Sequence, residues 1–268
     1  LDGVELCYRD HAYFPVDTGP QRADRMTELV RRIRASLDDA GDSRLLGARV
    51  FSTIEECLHL GLDVAAWIGS ELLDYVSPQD SMYADFNTPY ESWAALTRGC
   101  RCRLYPGLLP WTSFRARYRR SQSPITPANH RALAHTMYGA GADGIAVYNH
   151  FVPAVWHPPF YPQAMQIFHQ LRDPTRVAGA ERHYVFDPTW AGMTGFGAEG
   201  RSSTGTVNAR RLHLDRHAEA PCDEYAFRLY EQLEDAHCAT LWFRGAGLSE
   251  GDELDVSVNG HTILPAAI

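Results

Sequence analysis

The 268-residue chain contains no lysine, so all 25 of its basic residues are arginines. That absence excludes a Schiff-base lysine and a P-loop lysine, and with them two large classes of enzyme. No apolar run approaches the roughly 18 residues that mark a bilayer-spanning helix. With 45% hydrophobic and 22% charged residues, the composition reads as soluble and globular. The formal net charge of -8 supplies no basic footprint for nucleic acid or for an anionic membrane. One basic run, Arg115, Arg117, Arg119 and Arg120, reads as a solvated loop. The six cysteines, Cys7, Cys57, Cys100, Cys102, Cys222 and Cys238, are scattered through a chain too large to need disulfide staples. None has zinc-ligand spacing beside histidines, and Cys100-Arg101-Cys102 alternates along a strand rather than pairing. A G-x-S-x-G nucleophile elbow is also missing.

What is present is a rhythm. The first ten residues, Leu1 to Asp10, read as a buried strand that carries an acid, Glu5 between Val4 and Leu6. An amphipathic segment over 24–39 follows, with Met26, Leu29, Val30, Ile33 and Leu37 at helical spacing. Strands are then expected at 46–52, 74–78, 101–108 and 144–151. They alternate with helices at 53–73 (broken near Gly61), 89–97, 127–140 and 163–171. One βα unit in roughly every 35 residues is the spacing of parallel α/β proteins. A Rossmann-type sheet is disfavoured because no glycine-rich phosphate turn follows a strand, and the stretch Gly192 to Gly197 lies outside the repeat.

The expected fold is therefore α/β: the C-terminal five βα units of a (β/α)8 TIM-type barrel over 1–175, strands 4 to 8, with three N-terminal units lacking. Such an open barrel would expose sheet edges and invite self-association. Over 176–268 the chain turns to short β-type runs separated by Gly, Asp, Ser and Pro, which suggests a small antiparallel β-sandwich. Its end, Leu254 to Ile263, alternates around Asn259-Gly260, a specific hairpin signal. The compartment stays open, with the extracellular space or periplasm favoured if a leader precedes the chain.

In a barrel, reactive groups project from the C-terminal ends of the strands and the loops that follow. Those positions hold Glu5, Arg9, Asp10 and His11 in the first unit, and Ser52 and Thr53 in the second. The third offers Gln79, Asp80, Asp85 and Asn87, the fourth Tyr105, and the fifth Tyr148, Asn149 and His150 ahead of a loop containing Trp156. Paired carboxylates, amides, rings and an arginine are the equipment of a sugar site. The best pair is Glu5 as proton donor with Asp80 or Asp10 as base or nucleophile. Arg9, His11, Asn87, Tyr105, Tyr148, Asn149, His150 and Trp156 are the candidate substrate contacts. The plain alternatives are that Glu5 is an ion-paired structural acid and that Asp80 caps a turn. A metal held by His11, His150 and His157 with Asp10 and Asp80 is a weaker reading, since no H-x-H pair marks it. No metal and no cofactor is expected.

Several motifs in order also resemble a known group. They are Asp2-Gly3-Val4-Glu5-Leu6 with Arg9 and Phe14-Pro15, and Leu60-Gly61-Leu62-Asp63 with Trp67. Leu73-Asp74-Tyr75-Val76-Ser77-Pro78, Leu104-Tyr105-Pro106, and Arg131-Ala132 with Gly141-Ala142-Asp143-Gly144-Ile145 and Tyr148-Asn149 complete the series. Together they resemble bacterial glycosyl-hydrolase-like barrel proteins, the glycosyl-hydrolase-like family 10 group and its relatives, over the region to about Asp173. The resemblance implies a (β/α)8 barrel acting on a polysaccharide or glycoside, with Glu5 in the site and, more weakly, Arg9, Asp80 and Asn149. Two departures stand out: Cys7 occupies a position where related sequences often carry a second acid, and Leu104-Tyr105-Pro106-Gly107-Leu108 stands where retaining barrels place a nucleophilic glutamate. The two functional readings are thus a glycoside hydrolase with a carbohydrate substrate and a non-catalytic carbohydrate-binding or scaffold protein on a degenerate barrel.

Overall fold

The computed structural model describes residues 2–8, 18–41, 44–79, 84–110, 125–148, 166–186, 214–215, 217–232, 239–242, 247, 249 and 251–263. Arg9, Asp10, His11, Asp80, Asn149, His150, Trp156 and the arginine run at 115–120 lie outside the described residues. The chain divides into two compact units, Leu1–Tyr230 and Glu231–Ile268.

In the first unit strands and helices alternate. Its elements are β1 (Gly3–Cys7), α1 (Gly19–Asp39), β2 (Leu45–Phe51), α2 (Ile54–His59), α3 (Val64–Gly69), β3 (Tyr75–Gln79) and α4 (Tyr90–Thr97). They continue with β4 (Arg103–Leu104), β5 (Gly107–Leu108), α5 (Pro127–Gly139), β6 (Ala146–Val147), α6 (Phe168–Leu171) and α7 (Pro174–Ala178). β1, β2, β3 and β4 form one parallel sheet in chain order, and β5 pairs in parallel with β6. β4 and β5 are halves of one extended segment, split where Pro106 offers no N–H to the ladder. Tyr105 N still donates to Val76 O at 2.9 Å, and Ala146 N to Pro106 O at 2.9 Å, so the two ladders are continuous through 103–108.

This strand order never reverses. With right-handed crossovers, a sheet wound in one direction keeps all its helices on a single face. The side chains divide accordingly. Leu46, Ala48 and Val50 of β2, Val76 of β3 and Leu104 of β4 are fully buried beneath the helices. Gly47, Arg49 and Phe51, with Glu5, Tyr75, Ser77 and Gln79, take the opposite, inner face by the two-residue period of a strand.

Local signals set the helices. Pro20 occupies the first turn of α1, and a methyl group added at Gly19 would fall 2.1 Å from His59 O, so only glycine allows that approach. The expected break near Gly61 is present: α2 stops at His59, Gly61 takes φ +86°, and Asp63 caps α3 by accepting from Ala66 N. A reciprocal capping box between Thr126 and Asn129 starts α5. Trp67 and Trp93 are the largest fully buried side chains, and Trp93 Nε1 donates to Ser52 O at 2.8 Å, fastening α4 to the end of β2.

One lock occurs twice at the amino ends of the strands. Asp74, just ahead of β3, accepts from Leu46 N at 2.7 Å through Oδ2, while its own N–H donates to Leu46 O. Asp143, ahead of β6, accepts from Leu104 N at 2.9 Å and likewise donates to Leu104 O. Asp74 additionally holds Arg34 of α1 at 3.0 Å and Arg101 at 2.5 Å. Arg34 is itself buried, so Asp74 ties the first helix, two strands and the α4–β4 turn to one carboxylate.

Two extended segments of the first unit, 184–186 and 225–230, lack regular secondary structure, and Tyr184, Val185, Phe186 and Tyr230 pack on its core. Phe186 lies between Phe86 at 6.5 Å and Phe227 at 4.9 Å, and the rings of Tyr184 and Phe186 are parallel. In the second unit the hairpin expected from Asn259-Gly260 is formed by β7 (Val256–Val258) and β8 (His261–Ile263). Both turn residues have positive φ, 49° and 80°, as a type I′ turn requires. Among the described residues after 178 this is the single strand pair.

Asp74→Ala leaves the Leu46 N–H without its acceptor and removes one of the partners of buried Arg34, which keeps Arg44 O and Asp38, and chemical denaturation is expected to show a loss of about 2–3 kcal/mol. Asp143, whose partner Arg103 is 62% exposed, should cost about 1–2 kcal/mol on the same substitution, mainly for the stranded Leu104 N–H.

Candidate functional site

The sheet face opposite the buried Leu46, Ala48 and Val50 carries Glu5, Arg49, Tyr75, Ser77 and Gln79 and is largely polar. Its centre is Arg49, in the middle of the otherwise apolar strand Leu45-Leu46-Gly47-Ala48-Arg49-Val50-Phe51. A guanidinium does not lose its charge on burial and must be given acceptors. Arg49 is 9% exposed, and three strands supply its surroundings. From β1, Glu5 Oε1 accepts from Nε at 2.9 Å. From β3, Gln79 Oε1 accepts from Nη1 at 3.1 Å. The Tyr148 ring, just past β6, lies under the guanidinium carbon at 4.8 Å.

The second oxygen of Glu5 is also engaged, accepting from the Tyr75 hydroxyl at 3.1 Å. Burial, then the nearby Glu5 charge and this hydrogen bond, push the Tyr75 phenol up to about 12, while Arg49 pulls the other way. Tyr75 in turn lies 5.8 Å from the Tyr105 ring. The site is thus one carboxylate bonded to a guanidinium and a phenol, with Tyr75, Tyr105 and Tyr148 around it.

Glycines make this arrangement possible. An added methyl at Gly47 would fall 2.0 Å from Tyr75 Cζ, and one at Gly107 would fall 2.0 Å from Gln79 Oε1. At Gly144 it would meet the Tyr105 ring at 3.1 Å. In each case the side chain of a neighbouring segment occupies the space a methyl would need, tightly at Gly47 and Gly107 and less so at Gly144.

Of the residues expected from sequence, Glu5, Tyr105 and Tyr148 come together here. Glu5 occupies the third of the five positions of β1, one inward-facing step before the carboxyl end at Cys7. Asn87 does not join them. Its Nδ2 donates to Ala226 O and its Oδ1 accepts from Arg228 N, both at 2.9 Å, so its side chain clasps the 225–230 segment. Arg49 and Tyr75 were not anticipated, although a lone charge in an apolar strand is the same signal that marks Glu5. Gln79 stood at a strand end and carried no assigned role.

Cys57 and Cys102 are not nucleophiles of this face. Burial pushes the Cys57 thiol up, and burial followed by the neighbouring Cys100 pushes Cys102 up to about 12, so both are held as thiols. Among the described residues no group of three or more His, Cys, Asp or Glu side chains is placed to hold a metal ion, and no helix is long and apolar enough to cross a membrane. His11, His150, His157, Asp10 and Asp80, the ligands weighed for a metal, are outside the described residues.

Because the Tyr75 phenol is raised above its ordinary value near 10, its contribution to stability is complete below about pH 10 and is lost as pH rises through about 12. Glu5→Gln removes the charge that holds the proton on and should lower the pH at which Tyr75 ionises. Arg49→Met removes the opposing charge and should raise it. Tyrosinate absorbance titrations, with Tyr75→Phe identifying the transition, measure both directions.

No protein-family model matches the chain, and no curated protein matches it.

Proposed function

We propose that the chain is a glycoside-hydrolase-like protein acting on a polysaccharide or glycoside by carboxylate chemistry. In this reading the parallel strands form five units of the wall of a (β/α)8-type barrel, and the residues from 176 onward a small β-sandwich-like domain. The observation that carries it is the Glu5 carboxylate, bonded to Arg49 at 2.9 Å and Tyr75 at 3.1 Å on an inner face lined by three tyrosines. Rings that stack on sugar faces and a carboxylate held between donors are the parts a glycosidase needs.

The setting of Glu5 also selects its role. In a glycosidase the carboxyl that donates a proton sits in apolar surroundings, whereas the one in a polar, hydrogen-bonded setting acts ionised, as nucleophile or charge stabiliser. Glu5 has the second kind of setting, so we assign it the ionised role in place of proton donor. Asp80 and Asp10 then stand as candidates for the partner acid, at about 5–5.5 Å for retention or about 6.5–9.5 Å for inversion.

A second reading, carbohydrate binding without turnover, is favoured by one specific observation. Both oxygens of Glu5 are engaged, and among the described strand residues of the first unit Glu5 is the sole carboxylate.

Wild-type chain assayed against a panel of polysaccharides and aryl glycosides is expected to show turnover that Glu5→Gln abolishes without loss of glycan binding. Glu5→Ala should regain activity with azide, which takes the place of the missing carboxylate. Glycan binding by the wild type without turnover across the panel would favour the second reading, and unchanged turnover in Glu5→Gln would remove Glu5 from the chemistry.

A further inference from the structure

We propose that Gln79 is a positioning residue, which acts through Arg49 to set the geometry of the Glu5 carboxylate. The inference rests on the reading of Glu5 as the functional carboxylate.

A guanidinium is planar and its donors point in fixed directions. In Arg49, Nε faces Glu5 and Nη1 faces Gln79, with the Tyr148 ring against its plane. These three contacts define its orientation. Glu5 therefore receives a single donor from Arg49, on Oε1, and its other oxygen remains with Tyr75. Without an acceptor at position 79, Nη1 loses its partner and the guanidinium is free to turn a two-nitrogen edge onto the carboxylate. That fork takes both oxygens and expels the Tyr75 hydroxyl.

The amide is used through its oxygen. Gln79 is fully buried, and among the described residues its Nε2 has no hydrogen-bond partner. A buried donor left unpaired costs about 1–3 kcal/mol, so the NH2 half contributes nothing that offsets that cost, and the contact this side chain makes is the one to Arg49. The acceptor oxygen is the part that is used. The neighbouring strand accommodates it, because an added methyl at Gly107 would lie 2.0 Å from Gln79 Oε1 and 2.6 Å from its Cβ. Positions on β3 and β5 are thus both committed to presenting one oxygen to Arg49.

The test uses the full chain with 13C-labelled tyrosine, reading the Cζ resonance of Tyr75 at neutral pH and assigning it with Tyr75→Phe. In Gln79→Leu the resonance should move to that of a water-bonded tyrosine. Gln79→Glu, which keeps an acceptor for Arg49, should leave it near the wild-type position. On a turned-over glycoside, Gln79→Leu should lower kcat by about tenfold or more with KM nearly unchanged, the pattern of a misplaced reacting group. A Tyr75 resonance that does not move in Gln79→Leu, or that moves equally in both variants, overturns the proposal. If Gln79→Leu does not fold, Gln79→Met carries the same expectation and the same refutation. Lack of glycoside turnover in the wild type would count against the functional reading alone, since the Tyr75 resonance decides the positioning role without substrate.

Discussion

A charge that cannot be neutralised sits in the middle of a buried strand, and much of the inner face is a response to it. Arg49 has Glu5 on the strand before it, Gln79 on the strand after it and Tyr148 from two strands further on. Burying a guanidinium is tolerable when its donors are met, and is severely destabilising when they are not. The consequence is geometric as well as energetic: one side chain links β1, β2 and β3, adding to the register that the buried Leu46, Ala48, Val50 and Val76 of the opposite face already impose. Ion pairs of this kind contribute more to specifying one arrangement than to net stability, and that hypothesis suits a face whose use requires fixed distances.

Two kinds of contact hold the sheet. At the amino ends, Asp74 and Asp143 each accept from the N–H of the second residue of the preceding strand, Leu46 of β2 and Leu104 of β4, and set register there. Across the middle of the sheet the contacts are between side chains, Arg49 with Glu5 and Gln79, and Glu5 with Tyr75 at the start of β3.

Much of the fold was legible in the sequence. The helical period over 24–39, the glycine at 61 and the Asn259-Gly260 pair each produced the element expected, because each acts through local backbone preference. The strand alternation was legible as well. What could not be read was which inner-face side chains touch. Arg49, Tyr75 and Glu5 lie up to 70 positions apart in the chain, and only the register Glu5↔Gly47↔Tyr75 brings them together. Asn87 misled for the opposite reason: an amide after a strand resembles a ligand contact, and its two bonds to the backbone at 226 and 228 depend on a segment about 140 residues away. A strand sequence names the acid Glu5 but not the donors that face it, Arg49 and Tyr75.

The glycines beneath the tyrosines carry a consequence for how such a chain can change. Gly47 lies under Tyr75 and Gly144 under Tyr105, each pair contributed by adjacent strands. The two pairs differ in tightness: a side chain at Gly47 evicts the Tyr75 ring, one at Gly144 requires the Tyr105 ring to give by a few tenths of an ångström, and loss of either ring opens space over its glycine. Each pair behaves as one heritable character written at two places, so descendants of this sequence should gain or lose both halves together.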